Sequence, residues 1–192
     1  MRHVISALVI NEPGVLANVA GMFAARGFNI DSLVVGRTDD PSMSRMTIVV
    51  DADDNTLEQV RKQLAKLVPV TKVRDFAGTR YVERDLALIC VACTPSTRGE
   101  VIQIANVFQG RVVDVADTGL IVELTGTEDK IEDFLELVRP YGIKELARTG
   151  VIAMARGLQP AEKAVGGAAA GGSSGKRRRS LSAPATAALP PS

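Results

Sequence analysis

Residues 11–31 of this chain, NEPGVLANVAGMFAARGFNID, carry most of the information about its fold. An apolar run from His3 to Ile10 precedes them and is typical of a β-strand. The run ends at Asn11-Glu12-Pro13-Gly14, which favours a tight turn because proline fixes φ and glycine permits close approach. The apolar residues that follow recur at helical spacing, and they predict a helix over 15–26 that is capped by Gly27. The stretch therefore predicts a strand, a turn and a helix in direct succession.

The residues after this helix complete a first domain over residues 1–77. Alternating apolar residues predict three further strands, and apolar residues at helical spacing predict a second helix between Asp53 and Pro69. The strands are predicted over residues 29–36, 45–50 and 70–75. Strand–helix–strand–strand–helix–strand within about 75 residues is the βαββαβ, ferredoxin-like arrangement, an α+β fold.

The second half of the chain repeats this order over residues 78–158. Strands are predicted over 86–93, 110–115, 120–125 and 143–155, the last one interrupted near Thr149-Gly150, and helices over 95–108 and 128–138. The halves also share a local signature, because Gly27–Asp31 is matched 83 residues later by Gly110–Asp114. The repeat predicts two tandem domains of one type, with residues 78–83 as the linker.

The last residues, 159–192, consist mainly of Gly, Ala, Ser and Pro around the basic run Lys176–Arg179. Such a segment cannot bury enough apolar surface to fold, so a disordered tail is predicted. Five of the chain's 23 basic residues and one of its 22 acidic residues lie there, which leaves 18 and 21 in the rest. The folded part is therefore mildly acidic, and no nucleic-acid partner is expected.

The cellular setting is predicted from what the sequence lacks. No apolar run approaches the roughly 18 residues needed to span a bilayer, so no membrane association is expected. The chain starts directly with a strand, so we expect neither a signal peptide nor a transit peptide. Its two cysteines do not suggest a disulfide framework. A cytoplasmic protein is the resulting expectation.

Few residues could carry catalysis, and neither a catalytic nor a metal site is predicted. His3 lies in a strand without an obvious serine or cysteine partner. Cys90 and Cys93 have CxxC spacing, but residues i and i+3 of a strand point to opposite faces, which favours core packing over zinc or redox chemistry. The acidic pairs at 39–40 and 53–54 are explained by turn and helix capping.

A small-molecule site is indicated where the first helix begins. The helix N-terminus is expected to offer free N–H groups at Gly14 and Val15 and a positive dipole end, which suit a carboxylate, and Gly14 leaves room for one. Asn11 and Asn29 are expected at the ends of neighbouring strands, on the side of the sheet where this helix starts. A plain strand–turn–helix connection, in which Asn11 and Gly14 serve only the turn, explains these residues equally well. The candidate site residues are Asn11, Gly14, Val15, Leu16, Asn29 and Ile30.

Several separated strings resemble the small, regulatory subunit family of acetohydroxyacid (acetolactate) synthase. They are Asn11-Glu-Pro-Gly-Val-Leu16, Arg26-Gly-Phe-Asn-Ile-Asp-Ser-Leu33, Thr38-Asp-Asp-Pro41, Ser44-Arg-Met-Thr-Ile48, Lys62-Gln-Leu64, Lys66-Leu-Val68, Val82-Glu-Arg84, Arg148-Thr-Gly-Val151 and Ala155-Arg-Gly157. The resemblance covers residues 2–157 and is specific, because these strings occur in the right order. The tail has no counterpart in the family pattern.

The resemblance implies an N-terminal ACT domain, a fold that binds amino acids, and a second ferredoxin-like domain. It implies that the chain has no active site of its own, activates a thiamine-diphosphate-dependent catalytic subunit, and confers feedback inhibition by valine or another branched-chain amino acid. That partner, a transferase expected to hold thiamine diphosphate, Mg²⁺ and FAD, starts the common route to valine, leucine and isoleucine. No cofactor is expected in this chain.

The resemblance also implies where the effector binds. In the family it lies at an interface between paired ACT domains of a homodimer, and it touches the loop after the first strand and the start of the second. The matching positions are the six candidate residues given above. Two rival interpretations are a free-standing ACT-type amino-acid sensor acting on another partner, and a small ferredoxin-like enzyme, which would need acid–base residues that the sequence does not supply.

Overall fold

Two βαββαβ units follow one another, as the sequence predicts. The computed structural model describes residues 1–157, so the predicted tail over 159–192 lies outside the described residues. The elements of the first unit are β1 (Arg2–Ile10), α1 (Val15–Ala24), β2 (Ser32–Arg37), β3 (Met43–Asp51), α2 (Asp54–Leu64) and β4 (Val70–Asp75). Its antiparallel sheet has the order β2-β3-β1-β4. Alternate residues of β1 and β3 pack against both helices in one core, so the helices cover one face of the sheet.

The second unit repeats the arrangement with one strand more. Its elements are β5 (Tyr81–Ala92), α3 (Arg98–Val107), β6 (Arg111–Ala116), β7 (Gly119–Gly126), α4 (Glu128–Val138), a 3₁₀ turn (Arg139–Tyr141), β8 (Ile143–Arg148) and β9 (Ile152–Ala155). The strand order is β6-β7-β5-β8, and β9 pairs separately with β5. The predicted interruption near Thr149-Gly150 is confirmed, since β8 ends and β9 begins around it. No helix within residues 1–157 is long and apolar enough to cross a membrane.

The C-terminus of α1, which lies within residues 11–31, is capped at Gly27 as the sequence predicts. Gly27 has a φ of 66°, the left-handed conformation that glycine adopts without a Cβ penalty. Its N–H donates to the carbonyl of Ala24 at 3.1 Å, and the N–H of Phe28 donates to the carbonyl of Phe23, also at 3.1 Å. The rings of Phe23 and Phe28 then meet edge to face at 6.3 Å. These contacts form a Schellman motif, so the predicted cap at Gly27 is confirmed.

The stretch predicted as a linker, residues 78–83, is not a free connection. Tyr81 already begins β5, a twelve-residue strand that pairs with β9 through its first part and with β8 through its second. The pair formed by β9 and the first part of β5, here called the ribbon, packs on the face of the first sheet that the helices leave open. A third apolar cluster results, and it joins Val4, Val49 and Phe76 to Val151 and Ala153 of the second unit.

A buried carboxylate holds the corner where β5 changes partner. Asp85 is 2% exposed. Its Oδ2 accepts a hydrogen bond from Arg148 Nε at 2.8 Å, and its Oδ1 accepts from Thr149 Oγ1 and from the N–H of Gly150, both at 3.1 Å. Burial lowers the pKa of Arg148, but hydrogen bonds to Asp85 and Glu132 outweigh burial, so this pKa lies above its ordinary value. The carboxylate is thus satisfied on both oxygens.

Replacement of Asp85 by alanine should destabilise the protein strongly. It leaves Nε of the partly buried Arg148 and the N–H of Gly150 without their acceptor, although Arg148 keeps its pair with Glu132, and the expected loss is about 3 kcal/mol in the free energy of unfolding. Urea denaturation followed by circular dichroism measures it.

A matched control is Glu123→Ala, which breaks the exposed Arg111–Glu123 pair at 3.5 Å. An exposed pair of this kind contributes less than about 1 kcal/mol. Equal effects of the two substitutions would show that the Asp85 corner does not hold the second unit together.

Candidate functional site

The N-terminus of α1 is open and uncapped. Gly14 precedes the helix with a φ of 85°, and a Cβ placed on it would find no atom within 4 Å. The first turn contains no acidic residue, and no side chain of the described part of the chain caps it. The prediction of a free donor at Val15 is wrong, because its N–H donates to the carbonyl of Glu12 at 3.4 Å. The N–H groups of Leu16 and Ala17, in contrast, have no hydrogen-bond partner among residues 1–157. Two unused donors at the positive end of the helix dipole are suited to an anion such as a carboxylate.

The loop before this helix is held to the turn between β2 and β3. The N–H of Asn11 donates to the carbonyl of Ser42 at 2.7 Å, and Asn11 Nδ2 donates to the carbonyl of Pro41 at 3.0 Å. Both donors of Asn11 therefore position the loop. Its Oδ1 accepts no hydrogen bond from the described residues, so Asn11 serves the turn and still presents an acceptor to solvent.

The other candidate residues differ in exposure. Val15 is buried in the first core, whereas Leu16 is 46% exposed beside the unused N–H groups. Ile30 is half-buried and packs against the first core. Asn29 is exposed, and its Nδ2 donates to Asp31 Oδ1 at 2.8 Å. These residues supply both apolar contacts and polar groups. The two asparagines, however, lie at opposite ends of the first sheet.

The expectation that Asn11 and Asn29 share one end of the sheet is wrong. β1 and β2 each pair antiparallel with β3, so they run in the same direction and are separated by that strand. Asn11 follows the end of β1, whereas Asn29 precedes the start of β2. The ten residues of α1, about 15 Å of helix, lie between the two positions along the chain. Within one chain the candidate residues therefore form two groups, with residues 11–16 at one end of the sheet and Asn29 and Ile30 at the other.

The corresponding loop of the second unit is bridged by side chains. Thr94 N–H donates to Thr97 Oγ1 at 3.0 Å, and the two hydroxyl groups lie 3.2 Å apart, so a threonine side chain stands where the first unit has Gly14. The first turn of α3 also contains an acid, Glu100. An anion is disfavoured next to a carboxylate, so only the first unit retains the features of a carboxylate site.

The other polar groups considered from the sequence have local roles. Asp53 Oδ1 accepts a hydrogen bond from the N–H of Thr56 at 2.7 Å and caps α2, and Thr56 thereby lowers the pKa of Asp53. Hydrogen bonds from Ser42 likewise lower the pKa of Asp40. Cys90 and Cys93 are free thiols, and Cys93 is buried in the second core.

Family models match both units. A model of the AHAS small subunit-like ACT domain matches residues 5–72, and a model of the small subunit of acetolactate synthase matches residues 84–157. A probable acetolactate synthase small subunit of Archaeoglobus fulgidus is 54% identical over 157 residues, which cover 82% of this chain and 98% of the relative. The chain belongs to the acetolactate synthase small-subunit family. It is a regulatory small subunit, and its first unit is an ACT domain.

Other members of this family are similar over the same length. The acetolactate synthase small subunit of Mycolicibacterium smegmatis is 48% identical over 155 residues, which cover 81% of this chain and 91% of the relative. The crystal structure of the small subunit from Thermotoga maritima superposes with a TM-score of 0.75 at 43% identity, over 81% of this chain and 98% of that one.

The sequence alone did not indicate the buried hydrogen-bond network around Asp85 in this small subunit. The sequence patterns indicate no role for Asp85, and Arg148-Thr149-Gly150-Val151 is informative from the sequence only as part of the family resemblance. The structure joins them at the corner of β5. Asp85 directly follows Glu83 and Arg84 and precedes the apolar run predicted over 86–93, so its sequence context did not distinguish it from an exposed charge.

Proposed function

We propose that this small subunit senses a branched-chain amino acid, with valine as the principal candidate, and transmits its presence to a catalytic acetolactate synthase subunit. The small subunit binds and activates that partner, and the amino acid reverses the activation. Thiamine diphosphate, Mg²⁺ and FAD are assigned to the partner. We place both subunits in the cytoplasm.

The open N-terminus of α1 carries this proposal. A zwitterionic amino acid needs donors for its carboxylate, acceptors for its ammonium group and a small apolar surface for its side chain. The unused N–H groups of Leu16 and Ala17 supply the donors. Leu16 and Ile30 supply apolar surface, and the Oδ1 atoms of Asn11 and Asn29 supply acceptors.

Two copies of the chain are needed to bring these groups together. β2 is an edge strand of the first sheet, so its outer edge is available for pairing. Antiparallel pairing of two β2 strands places the start of β2 in one copy beside the end of β2 in the other. The Asn29 group of one ACT domain then lies near the Gly14 loop of its partner, and the dimer contains two equivalent sites.

Inhibition requires that the amino acid binds two states of the assembly with different affinities, since equal affinity shifts no equilibrium. A coupling free energy of about 1–3 kcal/mol between effector and catalytic sites is the usual scale. Tight binding at the ACT interface alone is not enough, so binding and inhibition have to be measured separately.

Gly14→Asp should abolish inhibition by valine, because its carboxylate would occupy the anion position and repel the ligand. Gly14→Asn is the matched control, since asparagine has the same size, tolerates positive φ and caps helices equally well. The variants are combined with the catalytic subunit and titrated with valine, and leucine and isoleucine titrations identify the preferred effector. Inhibition of the Gly14→Asp assembly at wild-type valine concentrations would refute the assignment, and equal loss in both variants would indicate blockage by size instead of charge.

Asn29→Ala should weaken valine binding by about tenfold, the effect expected for the loss of one hydrogen bond to a charged group. Activation of the catalytic subunit without valine should be unchanged. Isothermal titration calorimetry on the small subunit measures the affinity, and unchanged affinity would remove Asn29 from the site.

Mixed dimers test whether the site lies between copies. A dimer of one Gly14→Asp chain and one Asn29→Ala chain has both substitutions in one interface site and an intact second site. It should bind valine at half the wild-type stoichiometry with wild-type affinity. A site within one chain predicts the opposite result, in which no intact site is present in the mixed dimer.

A further inference from the structure

A groove lies between the ACT domain and the ribbon, on the open face of the ACT sheet. It encloses about 450 Å³ between the open face of β2 and β3 and the outer face of β5 and β9. We call it the junction groove. Its apolar lining consists of Val34, Val82, Ile152, Ala153 and Met154. Ile152 is 55% exposed and Met154 is 65% exposed, so large apolar side chains face water there.

Three arginines line the junction groove. They are Arg37, Arg45 and Arg84, and Asp39 is the acid in the same lining. None of the three arginines forms an ion pair with a carboxylate within residues 1–157. Arg84 donates only to the carbonyl of its neighbour Glu83, at 2.6 Å. The groove therefore has a local excess of positive charge on a folded part whose formal charge is negative.

Other arginines at the domain junction are neutralised. Arg2 pairs with Glu83 and Glu128, and Arg148 pairs with Asp85 and Glu132. The chain thus supplies two carboxylates to each of these arginines, whereas Asp39, the acid in the groove lining, forms no ion pair with the three groove arginines within residues 1–157. Two of the sequence strings that resemble the family contribute to the groove lining. Arg45 belongs to the string 44–48 and Arg84 to the string 82–84. This arrangement fits an acidic ligand with an apolar anchor.

We propose that the junction groove receives an acidic, apolar-anchored segment of the catalytic subunit. The proposal rests on the proposed function, which supplies the partner. The volume accommodates a few side chains of a chain segment, and charge complementarity selects an acidic one. A two-fold contact of groove against groove between copies of the small subunit would bring like charges together, which disfavours that alternative.

Charge reversal in the groove tests the proposal. Arg45→Glu combined with Arg84→Glu should weaken association of the full-length small subunit with its catalytic subunit by at least about tenfold at low salt. Biolayer interferometry with the immobilised catalytic subunit measures the affinity. Increasing salt should weaken the wild-type complex more than the variant complex. Arg61→Glu on α2 is the control, because α2 covers the other face of the ACT sheet, and it should change the affinity by less than about twofold.

Met154→Asp tests the apolar half of the groove and should also weaken association, since it places a charge where the anchor packs. Thermal melts and light scattering on the isolated small subunit check the fold and the oligomeric state of each variant. Wild-type affinity in the folded variants would overturn the groove assignment. Conversion of the small subunit itself to a lower oligomer would assign the groove to contacts between copies and would also overturn it.

Failure of this proposal is distinguishable from failure of the proposed function. If the wild-type small subunit does not associate with the catalytic subunit, the proposed function and the groove assignment both fail. If the wild type associates and the groove variants bind equally well, only the groove assignment fails. Valine binding to the isolated small subunit is independent of both results.

Discussion

The carboxylate of Asp85 is the interaction on which the arrangement of the two domains depends. It accepts hydrogen bonds from Arg148, Thr149 and Gly150, so it fixes the corner at which the chain leaves β8 and returns as β9. From that corner β9 pairs with the first part of β5, and Val151 and Ala153 pack on the open face of the ACT sheet. One buried and fully satisfied acid thereby converts two similar units into one packed body.

This corner lies close to the segment that contains Asn29 and Ile30. The N–H of Val151 donates to Ser32 Oγ at 3.3 Å, and a Cβ on Gly150 would lie 2.5 Å from the same oxygen. Glycine is required at residue 150 for this approach and for its φ of 84°. The start of β2 is therefore in direct contact with the second domain. The candidate amino-acid site and the domain junction share one short segment of chain.

The repeat shows how one fold acquires different surfaces. The ACT domain has an open helix N-terminus at Gly14, and the second domain bridges the equivalent loop with hydroxyl groups of Thr94 and Thr97. At the domain junction, acids neutralise Arg2 and Arg148, whereas Arg37, Arg45 and Arg84 line an apolar groove and have no such partners among the described residues. Backbone topology is shared by the two domains, and a few side chains decide which surfaces are available for ligands.

The sequence by itself determined the features that depend on local interactions. Apolar periodicity located the strands and helices of both domains, Gly27 ended α1, and Asp53 capped α2, because these signals act over a few neighbouring residues. The sequence strings that resemble the family also indicated the six candidate residues for binding an amino-acid effector. Only the tertiary structure decided that Asn11 and Asn29 lie at opposite ends of one sheet, since this depends on the strand order. It also revealed the Asp85 corner, whose Asp85 and Arg148 are 63 positions apart, and the junction groove, because their residues are distant in sequence and meet only through packing of the two domains.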